Sequence, residues 1–347
     1  MMSLLISFGV TAFVISFFST LVVRYFANRC GIVDHPHHPK NVHTHPIPRL
    51  GGVAIFLAVA IAVVGSLLTS QWLTSGTISL NQYIGFLLGA FVLMIGGFLD
   101  DAFELPPRFA IIAPLIASVV VIAFGVNIEK LTNPFGGVMY LSHLQSNILV
   151  FIWLMIVMYT TKFLDGLDGL ATSVTSVGAL MVLLLSLTVA YFQPDVALLA
   201  VIVVGAELGF LFWNFHPASI FLGEGGSTLV GFLLGMLAVI SGGKLATALL
   251  VLGIPLLDLM WVMLRRMKAG GIKKIVQGDR KHLHHRLLDL GWGQTQIVLL
   301  YIIVSGLFGA STLFLQSRQK VIVLILLAGL MLLTAAFFVK KEKKKSP

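Results

Sequence analysis

"SLLISFGVTAFVISFFSTLVV", residues 3–23, runs without a charged side chain. An α-helix of about twenty apolar residues covers the ~30 Å hydrocarbon core of a bilayer. No basic run precedes this stretch and no small-residue cleavage site follows it, so a retained helix is expected rather than a cleaved signal peptide. The pattern recurs along the chain. About eleven segments are long and apolar enough to be expected spans: 3–26, 50–69, 80–99, 107–125, 146–163, 169–191, 195–213, 226–241, 245–264, 294–315 and 320–339. The eighth is short and rich in glycine.

Composition agrees. The chain is 58% hydrophobic and only 11% charged, where soluble domains run near ~25% charged. A soluble multi-domain protein is excluded on that ground. A lone cysteine, Cys30, rules out an internal disulfide framework. The expected fold is an all-α, polytopic integral membrane protein, with residues 1–347 forming a single transmembrane domain that ends in a basic tail, 340–347.

The net charge of +9 raises the question of a nucleic-acid partner, and the placement of the charges answers it. Under the expected spans, Lys130, Lys244, Arg318 and Lys320 fall on one side and the other nineteen Lys and Arg on the opposite side. Basic loops stay in the cytoplasm. The N-terminus is therefore expected outside and the C-terminus inside. The lysine tail reads as a topology anchor touching anionic lipid, and no nucleic-acid partner is expected.

The same parity places every unusual polar cluster at the cytoplasmic face. "LDD", 99–101, follows the third span and "DGLDG", 165–169, the fifth. "FLGEGGS", 221–227, follows the seventh and "DRKHLHHRLL", 279–288, the ninth. Adjacent carboxylates such as Asp100 and Asp101 raise each other's pKa or require a cation. Asp165 and Asp168, three apart, suit one side of a helical turn, with an N-cap as the plainer alternative. Glycines around Glu224 expose backbone N–H groups that suit an anion, and the carboxylate beside them suits Mg²⁺. His282, His284 and His285 with Arg280, Lys281 and Arg286 form a cationic cradle for phosphate. A zinc site lacks cysteine support, and an ordinary basic loop is the bland alternative. The loop 34–52 adds five histidines and four prolines and reads as a cover over the site, with His37 and His38 incidental. Glu207 and Asp258 lie within spans. Intramembrane acids are functional candidates by default, although a hydrogen bond to a facing helix suits Glu207 better. Carboxylates for a divalent cation, a cationic cradle and a membrane location together point to phosphoryl transfer.

These four motifs, in this order, resemble those of the polyprenyl-phosphate N-acetylhexosamine-1-phosphate transferases, and the resemblance covers nearly the whole chain. The H-x-H-H form followed by arginine is closer to the WecA/TagO branch than to the phospho-MurNAc-pentapeptide translocases, which remain the alternative within the family. The resemblance implies transfer of a sugar-1-phosphate, GlcNAc-1-phosphate by branch, from a UDP-amino sugar to undecaprenyl phosphate, releasing UMP at the cytoplasmic face of the bacterial inner membrane. It implies Mg²⁺ as cofactor, with Mn²⁺ as an alternative, and leaves a homodimer open. Residue by residue, Asp100, Asp101, Asp165, His282, His284 and His285 match catalytic positions. Gly166, Leu167, Asp168, Asn214 and Phe221 match nucleotide-binding ones, with Phe221 on the uracil. Glu224 and Asp165 match metal positions, and Lys162, Arg280 and Arg286 are candidate phosphate contacts. Two residues depart from the family pattern. Lys162 stands where the family carries an asparagine, and Glu224 where it carries an aspartate. Lys162 is expected to pair with Asp165 or to contact a donor phosphate. A transporter is the other class weighed, but transporters place their charges near the midplane rather than at one interface. A CDP-alcohol phosphatidyltransferase fails because Thr172 breaks its motif.

Overall fold

A computed structural model describes the backbone of residues 1–36, 45–133, 136–242, 244–270 and 282–345, and the side chains of these except 268–270, 317 and 334–345. The described residues are mostly helical. In order come α1 (Met2–Arg29), a two-strand hairpin of β1 (Val33–Asp34) and β2 (Ile47–Pro48), α2 (Gly51–Thr69), α3 (Leu80–Phe103), α4 (Pro107–Ala110) and α5 (Ile112–Ala123). A second hairpin, β3 (Lys130–Thr132) and β4 (Val138–Tyr140), leads to α6 (His143–Leu164) and α7 (Leu170–Ser186). Then follow α8 (Pro194–Asn214), α9 (Gly223–Ile240), α10 (Leu245–Val251), α11 (Gly253–Gly270), α12 (Leu283–Asp289), α13 (Gln294–Phe314) and α14 (Ser317–Lys345). The protein is a polytopic membrane protein.

Among the described residues, seven helices are long and apolar enough to cross a bilayer: α1, α2, α3, α6, α8, α9 and α13. The pair α10 and α11, bent by 74° where one ends and the next begins, makes an eighth if taken as one span. Two of the expected spans are shorter than the sequence suggests. Residues 107–125 form the apolar stretch Pro107–Ala123, and residues 169–191 form α7, which ends at Ser186. The last expected span, 320–339, lies inside α14.

The central helix is α9. Of its apolar window 83% is buried, against 22% for α1 at the periphery, and α2, α3, α6, α7 and α8 all pack on it. A helix apolar on every side belongs inside a bundle, and lipid gives helices no hydrophobic reason to associate, so close backbone packing must hold them together. Small residues supply it here. A Cβ on Gly225 would stand 2.7 Å from the Cα of Gly97 on α3, and one on Gly226 would stand 2.8 Å from the backbone N of Gly52 on α2. At the edge of the bundle, α8 carries Gly205 and Gly209 four apart, and a side chain on either would strike the backbone of α1 at Gly9 or Phe13.

Glu207 is fully buried on α8, and its Oε2 accepts a 2.9 Å hydrogen bond from Ser176 Oγ on α7. The acid that looks functional by its depth is therefore tied to a facing helix, as its sequence context suits. The ends of α3 and α6, the start of α9, and α12 meet at one end of the bundle, and the candidate site is there.

Candidate active site

Gly223 opens α9 with φ of 79°, in the left-handed region that favours glycine. This turn aims the next backbone N–H, that of Glu224, at α3. Both Asp101 oxygens accept it, at 3.0 and 3.1 Å. Asp101 thus caps α9 from a different helix, where a carboxylate also suits the positive end of the dipole. Asp101 is 7% exposed. Sequence reasoning gives it a catalytic role. In the structure its carboxylate also fixes the Glu224 backbone.

The Glu224 side chain projects from the same turn and is 46% exposed. Its Oε2 lies 2.8 Å from Lys162 Nζ, near the end of α6, and the same ammonium stands 3.7 Å from Asp100 Oδ2 on α3. The other Asp100 oxygen accepts from the Leu105 N–H at 3.1 Å, closing the turn before Pro106 and Pro107. Lys162 therefore pairs with Glu224 and Asp100, and not with Asp165 as one of the two sequence readings has it. The reason is register. Asp165 is the C-cap of α6, three residues past Lys162, and its backbone turns away there.

Residues 165–169 form a turn between α6 and α7, not a helix, so Asp165 and Asp168 do not share one face. Burial pushes the Asp165 carboxyl well above the usual carboxylate value, and Glu224, Asp101 and Asp168 push it the same way. Asp168 turns toward the loop after α8, where its Oδ2 meets His216 Nδ1 at 2.7 Å and accepts from the Ala218 N–H at 3.1 Å. Its own N–H donates to Gln294 Oε1 at 3.3 Å. A pocket of about 410 Å³ opens beside it, lined among others by Arg24, His45, His216 and Gln294. Leu167 is buried in the core. Asn214 is buried as well. Its Nδ2 donates to the Ile220 carbonyl at 3.0 Å, and its Oδ1 accepts from Thr172 Oγ1 at 3.1 Å. These bonds shape the loop that carries Phe221. The backbone of Phe221 bonds to Pro48 and Gly51, and that of Leu222 to Gly52, tying the loop to β2 and the start of α2.

The histidines form a stack. His282 lies between Phe163 (centroids 5.9 Å apart) and His284 (5.7 Å), and His285 follows at 4.3 Å from His284. Asp258 on α11 organises them. Its Oδ2 meets His282 Nδ1 at 2.8 Å, and its Oδ1 accepts the Leu283 N–H at 3.0 Å at the start of α12. Sequence reasoning marks Asp258 as a candidate by its depth in an apolar helix but leaves its role open, and the structure supplies its partner, His282. Burial, then His285 and His282, hold His284 well below the usual imidazole value, so it is neutral at pH 7. A Cβ at Gly166 would stand 2.5 Å from His284 Nε2, so this glycine lets the stack touch the 165–169 turn. Arg286 is buried on α12. Arg280, His37 and His38 lie outside the described residues.

Four carboxylates and one bridging ammonium are an arrangement that a hard cation suits. No group of three His, Cys, Asp or Glu side chains among the described residues converges as a complete metal cage. Mg²⁺ does not require one, since it binds through one or two carboxylates with water and substrate phosphate. Glu224, exposed, and Asp165, whose carboxylate has no hydrogen-bond or ion-pair partner among the described residues, fit that half-site.

The model for "Glycosyl transferase family 4" matches residues 83–242, which hold three of the four motifs. A decaprenyl-phosphate N-acetylglucosaminephosphotransferase of Mycobacterium tuberculosis is 34% identical over 89% of this chain and 83% of its own length. A probable undecaprenyl-phosphate N-acetylglucosaminyl 1-phosphate transferase of Bacillus subtilis is 28% identical over 89% and 85%. An undecaprenyl-phosphate α-N-acetylglucosaminyl 1-phosphate transferase of Escherichia coli is 26% identical over 84% and 80%. With this coverage and its motifs in one site, the chain belongs to glycosyl transferase family 4, among the polyprenyl-phosphate N-acetylglucosamine-1-phosphate transferases.

Proposed function

We propose that the protein transfers GlcNAc-1-phosphate from UDP-GlcNAc to undecaprenyl phosphate, giving undecaprenyl-diphospho-GlcNAc and UMP. The observation that carries this reading is the meeting of Asp100, Lys162, Glu224 and the His282–His285 stack at one end of the bundle. The relatives are named for transfer of N-acetylglucosamine phosphate with a polyprenyl phosphate, decaprenyl in one and undecaprenyl in the other two, which supports this reading.

The chemistry is a displacement at the donor's β-phosphorus, with UMP as leaving group. Catalysis of such a step is mostly positioning and charge neutralisation. Mg²⁺ held by Glu224 and Asp165 would neutralise the diphosphate. The pocket beside Asp168 suits the nucleoside end, with Asp168 fixed by His216 and Ala218. Asp258 fixes the His282 tautomer by binding Nδ1, which leaves Nε2 toward the phosphates. Lys162 and Arg286 supply the cationic side, and Arg280, outside the described residues, is a further candidate phosphate contact.

In this reading the site lies at the cytoplasmic leaflet of the bacterial inner membrane, with the N-terminus outside and the basic tail inside. The split of nineteen Lys and Arg against four supports that orientation. Purified protein is expected to release UMP from UDP-GlcNAc only when undecaprenyl phosphate and Mg²⁺ are both present. Release without the lipid, or none with any UDP-amino sugar, would contradict the proposal.

A further inference from the structure

The two residues that depart from the family pattern, Lys162 and Glu224, are in direct contact. They come from different helices, α6 and α9, and are 62 positions apart in sequence. The glutamate's extra methylene carries its carboxylate out to the lysine at 2.8 Å, and the ammonium remains within 3.7 Å of Asp100. The other two acids nearby cannot replace Glu224 as the lysine's partner. Asp101 spends both oxygens on the Glu224 N–H, and Asp165 makes no ion pair with Lys162. The lysine side chain is 23% exposed and Glu224 46%. A pair so open to water is held weakly, and a four-carbon stem lets the ammonium swing.

We infer that Lys162 is a resident counter-cation of the site: in the free protein its ammonium holds the Glu224 and Asp100 carboxylates, and with donor bound it moves to an oxygen of the donor's diphosphate while a divalent cation takes Glu224. The donor half of this inference rests on the function proposed above. The metal half does not. One fixed positive charge between the two carboxylates lowers their affinity for any other cation, so the bare site binds a divalent ion poorly. The diphosphate draws the ammonium away and adds its own oxygens, so the site takes metal and donor together. Lys162 is then the residue that couples the two binding events.

The test is a Mn²⁺ titration of detergent-purified protein without donor or acceptor, read by the electron paramagnetic resonance of free Mn²⁺. Lys162→Met, which removes the charge, is expected to bind Mn²⁺ about tenfold more tightly than the unaltered protein. Lys162→Arg, which keeps the charge, is expected within about threefold of it. With Mn²⁺ saturating, Lys162→Met is expected to bind UDP-GlcNAc about tenfold more weakly. Should the methionine variant fail to fold, Lys162→Gln removes the charge while keeping a polar tip, and reads the same shift. Equal Mn²⁺ affinity in the unaltered and uncharged proteins, tightening in Lys162→Arg as well, or no Mn²⁺ binding by any of them would overturn the inference. Failure of the unaltered protein to release UMP would overturn the proposed reaction and leave the Mn²⁺ comparison valid, because that titration contains no substrate.

Discussion

Asp101 binds the backbone N–H of Glu224 through both of its oxygens, joining the end of α3 to the start of α9. The carboxylate acts as a helix cap supplied across the bundle, and it sets where the Glu224 side chain emerges. Asp101→Asn keeps the shape but loses the charge and one acceptor. It is expected to lower stability by about 1–2 kcal/mol, the worth of a cap, and to cut turnover by about a hundredfold or more because Glu224 shifts. Thermal unfolding in detergent and UMP release measure the two effects. Normal turnover in a destabilised variant would show that Glu224 does not depend on this cap.

Asp258 orients His282 from another helix. Asp258→Asn presents an amide that donates or accepts, so His282 loses its fixed tautomer. Turnover is expected to fall about a hundredfold, with the donor KM nearly unchanged, because the orientation of His282 at the reacting phosphates rather than donor binding is affected. A large rise in KM at unchanged kcat would show instead that Asp258 serves only to shape the donor pocket.

Gly97 and Gly225 meet backbone to backbone. Neither has room for a methyl group, and no flexible side chain lies between them to give way. Gly97→Ala and Gly225→Ala are each expected to cost about 1–3 kcal/mol from overpacking. Gly306→Ala, where the added carbon meets nothing within 4 Å, is the control and is expected to be neutral or slightly stabilising. Unfolding temperatures in one detergent compare the three.

Asp165 has its carboxyl raised well above the usual value by burial and by Glu224, Asp101 and Asp168. The folded protein therefore binds this proton more tightly than the unfolded chain does. The group's contribution to stability is full below the unfolded value of about 3.9 and is lost as pH rises through the folded value. Without divalent cations, Asp165→Asn is expected to raise the unfolding temperature at pH 8 and to change it little at pH 4. Mg²⁺ at pH 8 is expected to stabilise the unaltered protein more than the variant. An equal gain from Asp165→Asn at both pH values would remove the charge argument.

The bilayer made much of the fold legible. A run such as 3–23 has few alternatives in lipid, and the expectation that Asp100, Asp165, Glu224 and His284 share one side agrees with their meeting at one end of the bundle, although fewer helices than the eleven expected are long enough to span. The length of α7 was not legible, because its apolar run continues past Ser186 into the 3₁₀ turn at Val189–Tyr191. The pairings were not legible either. Asp258 with His282, Asp101 with the Glu224 N–H, and Lys162 with Glu224 each join separate helices, and periodicity within one helix cannot show its rotation against another. The small residues at 97, 225 and 226 were the available sign of which faces meet. Their spacing within one helix does not show which glycine of another helix they meet.

The proposed reaction moves the donor's β-phosphate together with its sugar, and that is the claim to test most directly. Purified protein is given UDP-GlcNAc labelled with ³²P at the β-phosphate, along with undecaprenyl phosphate and Mg²⁺, and the lipid and aqueous phases are counted. The label is expected in the lipid, in step with UMP in the aqueous phase. Label that stays in the aqueous phase as UDP while the sugar reaches the lipid would mean glycosyl transfer, and would contradict the account.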